Sequence, residues 1–169
     1  VRLWRHFYPE YDKTAMNSAL QEIQLVCFRL GNSLFAIDIM RVREIIQPQE
    51  LSSLPTPARF LEGVVNLRGS VIPVMNMRRR FGMSETGRGE SGALVIVKLA
   101  RQQLALDVDE VLEVITVPVD GISPPMEIED GVGVECIIGV CLHHAHVYML
   151  LGVDYLLNAT GTIPDLAGH

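Results

Sequence analysis

Slid against itself by 69 positions, the sequence aligns LVCFRLGNSLFAIDIMRVREII (25–46) with LVIVKLARQQLALDVDEVLEVI (94–115), and eight of the 22 positions match without a gap. The matches are Leu25 with Leu94, Val26 with Val95, Leu30 with Leu99, Ala36 with Ala105, Asp38 with Asp107, Val42 with Val111, Glu44 with Glu113 and Ile46 with Ile115. Most of the non-identical pairs keep their polarity class. A fixed offset of this kind means that one structural unit is built twice. The repeat continues at an offset of 76, where GVVNLRGSVIPVMNM (63–77) faces GVCLHHAHVYMLLGV (139–153) and pairs Gly63 with Gly139, Val64 with Val140 and Val71 with Val147. The second copy has gained seven residues, most simply in DGISPPMEIEDGVG (120–133).

Each copy opens with two short apolar strands around a polar turn, Gly31-Asn32-Ser33 in one and Arg101-Gln102-Gln103 in the other. A third strand is predicted near Arg43 to Ile46 or Leu112 to Val117, and a strand pair follows around residue 68 or residue 144. About five short strands per copy, with turn signals every 8–12 residues or so, predict an all-β chain of small barrels or sandwiches. Two copies predict two pseudo-repeated five-stranded barrels. Helix is minor: a turn over 56–61 and a short helix starting near Asn76.

Composition narrows the function classes. The 169 residues, 49% hydrophobic and 20% charged, suit one compact unit or two small packed ones. A net charge of −6 supplies no field to attract phosphate backbones or an anionic membrane, so no nucleic-acid role and no membrane insertion are expected. Cys27, Cys136 and Cys141 are an odd count without metal-ligand spacing, which fits packed thiols in a reduced, cytosolic compartment. Apolar runs such as Cys136 to Leu142 reach seven residues, far short of the roughly 18 that a spanning helix needs. Residues 1–20 carry no signal-peptide core and read as a tail.

The stretch FLEGVVNLRGSVIPV (60–74) carries the most specific residues. Gly69 supplies a positive φ at a hairpin tip, and Gly63 allows close packing where the strand begins. Pro73 donates no ladder hydrogen bond, which predicts an edge strand or a bulge there. Arg68 offers a rigid fork of donors, suited either to a partner's carboxylates and carbonyls or to Glu62 or Glu44 within the chain, and spacing alone leaves both open.

Elsewhere the signals are weaker. His143, His144 and His146 near Cys141 raise a metal or small-molecule site, yet a structural site wants four fixed ligands and a polar hairpin tip needs only hydrophilic residues. Arg78, Arg79 and Arg80 read as a solvated helix start rather than a nucleic-acid patch, since no aromatics are interleaved. Asp107 and Asp109 have the spacing to share a strand face, but Asp107 mirrors Asp38 and so reads as architecture. No phosphate-binding glycine loop, nucleophile elbow or zincin motif occurs.

The order FLEGVVNLRGSVIPVMNMRRRFG, preceded by FAIDIMRVREII and LPTPARF, resembles the CheW family of bacterial chemotaxis coupling proteins, from about Gln24 to Leu157. The resemblance implies two intertwined five-stranded barrels, expected over about 21–75 plus a C-terminal segment and over about 76–153, flanked by tails at 1–20 and 158–169. It implies a non-catalytic adaptor without cofactor or metal, linking chemoreceptor tips to the C-terminal regulatory domain of the histidine kinase CheA at receptor arrays on the inner face of the membrane. The same domain occurs within CheA and in CheV, so a regulatory module of a larger kinase or of a CheV-type protein is the alternative expectation, with the length of 169 residues favouring the free-standing form. The partner-binding positions carried over are Val42, Glu44, Ile45, Gly63, Asn66, Arg68 and Gly69. Asn76 stands where the family usually has Asp, and its repeat mate Gly152 also stands where an acid is common; Asn and Gly both remain acceptable helix caps.

Overall fold

The repeat reappears as two sheets with matching strand registers in a computed structural model that describes residues 21–56, 58–87, 89–125 and 131–157. The strands are β1 (Glu22–Leu30), β2 (Ser33–Asp38), β3 (Val42–Ile46), β4 (Leu61–Leu67), β5 (Ser70–Asn76), β6 (Ala93–Lys98), β7 (Gln103–Val108), β8 (Glu110–Pro118), β9 (Ile122–Ser123), β10 (Ile137–His143) and β11 (His146–Leu151). One short helix, α1 (Met77–Arg80), follows β5, and single 3-10 turns follow β2, β8 and β11 and precede β10. Among the described residues no helix is long and apolar enough to cross a membrane.

Sheet I runs β8-β1-β2-β11-β10-β9 and sheet II runs β3-β6-β7-β5-β4. Their registers superimpose through the sequence offsets. Leu25 faces Asp38 in sheet I and Leu94 faces Asp107 in sheet II. Leu25 opposite Ile115 is matched by Leu94 opposite Ile46, and the parallel contact of Ala36 with Leu150 by that of Ala105 with Val74. Even the irregularities repeat: the shift between Leu61 and Gly63 recurs between Ile137 and Gly139.

The strands do not divide near residue 75 as the sequence predicts. Sheet II is the continuous stretch 42–108, and sheet I joins 22–38 to 110–151. Each sheet therefore takes its first hairpin from one copy and the remaining strands from the other. This is the intertwining implied by the family resemblance. Neither strand order returns to its first member, so each sheet curls over its own core without a closed ring of hydrogen bonds.

The burial follows from that curl. Ile23, Leu25, Cys27, Ile115 and Leu150 fill sheet I; Val65, Ile72, Val74, Leu94 and Ile96 fill sheet II. Alternate residues of the same strands, including Phe28, Phe35, Ile37, Val95, Val97 and Leu106, pack between the sheets. Strands buried on both faces explain why the sequence shows apolar runs where one-sided sheets show strict alternation.

The basic run departs from expectation. Arg78 and Arg80 are buried, and only Arg79 reaches solvent. Arg78 donates Nε to Asp109 Oδ1 at 2.8 Å and Nη1 to the carbonyls of Ser84 and Thr86 at 2.7 and 2.8 Å. Asp109 also accepts from Gly31 N at 2.7 Å, so one buried carboxylate ties α1 to the first turn of sheet I. Arg80 donates to Leu156 O at 2.8 Å and to Glu135 at 2.8 Å, with its guanidinium 5.1 Å from the centre of the Phe60 ring. These cations join the sheets, and their buried carboxylate and carbonyl partners supply the compensation a buried charge requires.

Candidate functional site

The β4–β5 hairpin turns on two residues in the left-handed region, Arg68 at φ 51° and Gly69 at φ 88°. Such paired positive φ values match the right-handed twist of the flanking strands. Asn66 Oδ1 accepts from Gly69 N at 3.0 Å and pins the turn. The tip thus needs Gly69 for its conformation and Asn66 for its closure, while Arg68 tolerates a backbone state unfavourable to a side chain by about 1–2 kcal/mol. That state is not by itself a mark of function. The sheet I hairpin adopts it with His144 at φ 48° and Ala145 at φ 65°.

Arg68 pairs with Glu44, not with Glu62. Its Nη1 lies 3.4 Å from Glu44 Oε2, and its Nη2 makes a close contact with Glu44 Oε1. The arginine side chain is 67% exposed and the glutamate 25%. An exposed pair of this type contributes about 0–1 kcal/mol. Glu44 lies on β3, an edge strand, just past a register shift between Val42 and Glu44 that leaves Arg43 unmatched.

The pair lines a cavity of about 140 Å³ together with Arg43, Leu67, Ser70, Ile72 and Gln103. The expected partner-binding residues fall into groups. Glu44, Asn66, Arg68 and Gly69 meet at the tip and its facing strand. Ile45 is exposed beside them, whereas Val42 is half-buried and packs against the core between the sheets. Gly63 has a packing reason: a Cβ there would sit 2.5 Å from Ser52 O. Arg43, Ser70 and Gln103 were not singled out by their sequence. The one signal for Gln103 is that its repeat mate is Leu34.

Pro73 is on an interior strand, between β4 and β7, contrary to the expected edge or bulge. Val64, opposite Pro73, spends its N–H and C=O on Ser52 at 2.8 and 2.9 Å on the other side. Val64 and Pro73 therefore form a non-hydrogen-bonded pair, and the proline nitrogen points away from β4. The parallel register with β7 begins at the next residue, Val74, so no ladder bond is required of the proline nitrogen.

Asn76 caps α1, accepting from Arg79 N at 3.0 Å. Its amide donates to Glu62 Oε1 at 2.6 Å and Glu85 Oε1 at 2.5 Å, which an aspartate cannot do. The amide here serves two carboxylates, one of which is the Glu62 that Arg68 leaves aside.

The histidines occupy the sheet I tip. His143 and His144 stack edge to face at 4.1 Å, and His146 lies 6.5 Å from Tyr148. Cys141 is buried, and the exposed side chain next to it on β10 is Leu142. Among the described residues no three His, Cys, Asp or Glu side chains gather as a metal ligand set. Burial pushes the Cys27 thiol up to about 12, with the Glu113 charge and Cys141 adding to it, and burial takes Cys136 to about 11 against the opposing Arg80 charge. Such thiols are packing groups, protonated at neutral pH.

Comparison with known proteins places this geometry. The CheW-like domain family matches residues 24–161. A chemotaxis protein CheW of Treponema pallidum is 32% identical over 143 residues, covering 82% of this chain and 84% of its own. A probable chemotaxis protein CheW of Rhizobium etli is 28% identical over 137 residues, covering 81% and 88%. The crystal structure of the scaffolding protein TtCheW from Thermoanaerobacter tengcongensis superimposes with a TM-score of 0.74 at 28% identity, over 81% of this chain and 88% of that one.

Proposed function

The chain belongs to the family built on the CheW-like domain, and from that premise we propose that it is a non-catalytic scaffold that couples chemoreceptors to the histidine kinase CheA. Its partners are the C-terminal regulatory domain of the kinase and the cytoplasmic tips of the receptors, and its place is the receptor array at the inner face of the membrane. The observation that carries this reading is the exposed Arg68–Glu44 pair on a braced hairpin beside an edge strand. A pair worth little to the fold is readily exchanged for a partner's groups, whereas a buried one is not. Micromolar binding requires only about 8 kcal/mol net, and one well-placed arginine anchor contributes about 2 kcal/mol or more of it.

The surrounding chemistry supports recognition rather than turnover. The thiols are buried and pushed toward the protonated form, so none is poised as a nucleophile. Pull-down of a receptor-tip fragment and of the kinase regulatory domain by the wild-type chain and by Arg68→Ala tests the proposal. Capture of both by the wild type and weaker capture by the variant are expected; capture of neither by the wild type would sink the scaffold reading.

A further inference from the structure

The turn between β6 and β7 opens onto a groove of about 400 Å³ lined by Leu99, Ala100, Arg101, Gln102, Asp154 and Leu157. Leu99 and Leu157 also pack against the core between the sheets, so the groove gives access to apolar surface. The repeat shows how the first copy covers the same place. By the offsets of 69 and 76, Ala100 corresponds to Gly31, Asp154 to Arg78 and Leu157 to Phe81. In the first copy Arg78, Asp109 and Gly31 N tie α1 to the β1–β2 turn. The chain beyond Phe81 then reaches that turn: Met83 packs on the core between the sheets, its Cε 2.9 Å from where a Cβ on Gly31 would stand. The second copy keeps a tie with its charges reversed, Asp154 accepting from Arg41 Nη1 at 2.9 Å and Nη2 at 2.7 Å. The residue corresponding to Met83 is Ala159, too short to fill such a groove.

We propose that residues 158–169 of this chain fold back over the β6–β7 turn and seat the side chains of Ile163 and Leu166 in the groove, with Asp165 against Arg101. The inference is independent of the docking reading above. Attachment favours this occupant, because the segment leaves from Leu157, itself a wall of the groove. Six residues reach about 20 Å, enough to bring Ile163 back, and a short tether gives an effective concentration on the order of millimolar. Size agrees: the groove exceeds the roughly 150 Å³ in which an apolar cavity holds a benzene ring, so two branched aliphatic side chains can enter. Ile163 and Leu166 are the only large aliphatic residues in NATGTIPDLAGH (158–169), and their burial there removes apolar area from water. Charge agrees as well. Arg41 is already matched by Asp154, whereas Arg101 is exposed and has no ion pair among the described residues. Asp165 is the one acidic side chain that the segment offers it.

Methyl NOE spectroscopy on the full 169-residue chain tests this without perturbing it. The Ile163 and Leu166 methyls should show contacts to the methyls of Leu99, Ala100 and Leu157. The variant Ile163→Ser with Leu166→Ser should keep the wild-type circular dichroism. Amide exchange at Leu99, whose N–H closes the turn onto Gln102 O at 2.8 Å, should quicken in it by about ten-fold. Arg101→Glu should weaken the contacts by up to about five-fold, and Arg101→Glu with Asp165→Arg should restore them. Absence of methyl contacts between the segment and the groove, with exchange at Leu99 unchanged in the serine variant, overturns the proposal. Contacts that arise only between differently labelled chains overturn the assignment to the same chain. Weakening by Arg101→Glu that the charge swap does not restore overturns the pairing of Asp165 with Arg101.

Discussion

Replacing Asp109 by asparagine should unfold more of this protein than any change at the exposed hairpin. The carboxylate side chain is 1% exposed and its partner Arg78 8%. It receives Nε of Arg78 at 2.8 Å, Nη2 at 2.5 Å and Gly31 N at 2.7 Å. Asparagine retains the volume and an oxygen for Gly31, so the change isolates the charge. The guanidinium then stays buried without the Asp109 charge, beside the Ser84 and Thr86 carbonyls to which it already donates. Breaking a buried pair in this way costs about 3–5 kcal/mol, a large share of the 5–15 kcal/mol or so of total stability. Taking about 3 kcal/mol and about 2–4 °C per kcal/mol for a chain of this size, Tm falls by about 6–12 °C. Urea unfolding followed by circular dichroism gives the same quantity from the midpoint and slope. The double variant Arg78→Met with Asp109→Asn removes both charges and should recover most of the loss. A single-variant cost below about 1 kcal/mol, the range of an exposed pair, would refute the argument that this ion pair is the buried tie between α1 and sheet I.

Further expectations follow from other residues. Asn76→Asp keeps the helix cap but sets a third carboxylate against Glu62 and Glu85, so it should cost about 1–3 kcal/mol at pH 7 by chemical denaturation. The like charges raise the new aspartate's pKa, so the deficit should shrink as pH falls through the carboxylate range; a pH-independent deficit would exclude repulsion as its cause. Ala145→Gly relieves a φ of 65° at the sheet I tip and should raise stability by about 0.5–1 kcal/mol, and a lowered Tm would contradict the observed turn. Cys27 and Cys136, pushed up to about 12 and 11 from 9, bind protons more tightly folded than unfolded. Their contribution is complete below about pH 9 and is lost as pH rises through the folded values, so alkaline titration should reveal weakening between about pH 9 and 12. In the native state at pH 8 a thiol reagent should label these two far more slowly than in denaturant; rapid native labelling would speak against their burial.

Sequence reasoning reached the repeat because paired positions such as Leu25 and Leu94 must face the same neighbours in each copy, and the registers agree residue for residue. The cap at Asn76 and the turn at Gly69 were legible for a related reason, since both are local backbone chemistry. Strand exchange was implied by the family resemblance alone and not by any local pattern of residues. Whether β3 pairs with β1 or with β6 depends on which long-range partner covers Ile46, and no local period records that. The arginine run misled because three adjacent cations read as solvated until Asp109, Ser84 and Leu156 converge on two of them from distant parts of the chain. Pro73 misled because an interior strand can leave one nitrogen unused where its second ladder begins. At the site, Glu44 was one of two carboxylates the sequence offered to Arg68, but the choice of Glu44 over Glu62 and the cavity beside the pair are fixed only when β3 and the β4–β5 tip, from opposite ends of the sheet II strand order, come together.

Arg68 is the residue on which the proposed coupling depends. Receptor-dependent kinase activation, reconstituted from receptor-tip assemblies, CheA and this chain, measures coupling itself. Arg68→Ala removes an ion pair worth about 0–1 kcal/mol to the fold, so its Tm should stay near that of the wild type. Activation should nevertheless fall sharply at limiting protein, with partner affinity down by about 30-fold, the equivalent of a 2 kcal/mol anchor. Full activation by the variant at wild-type concentrations would contradict the assignment of the hairpin tip as the coupling surface.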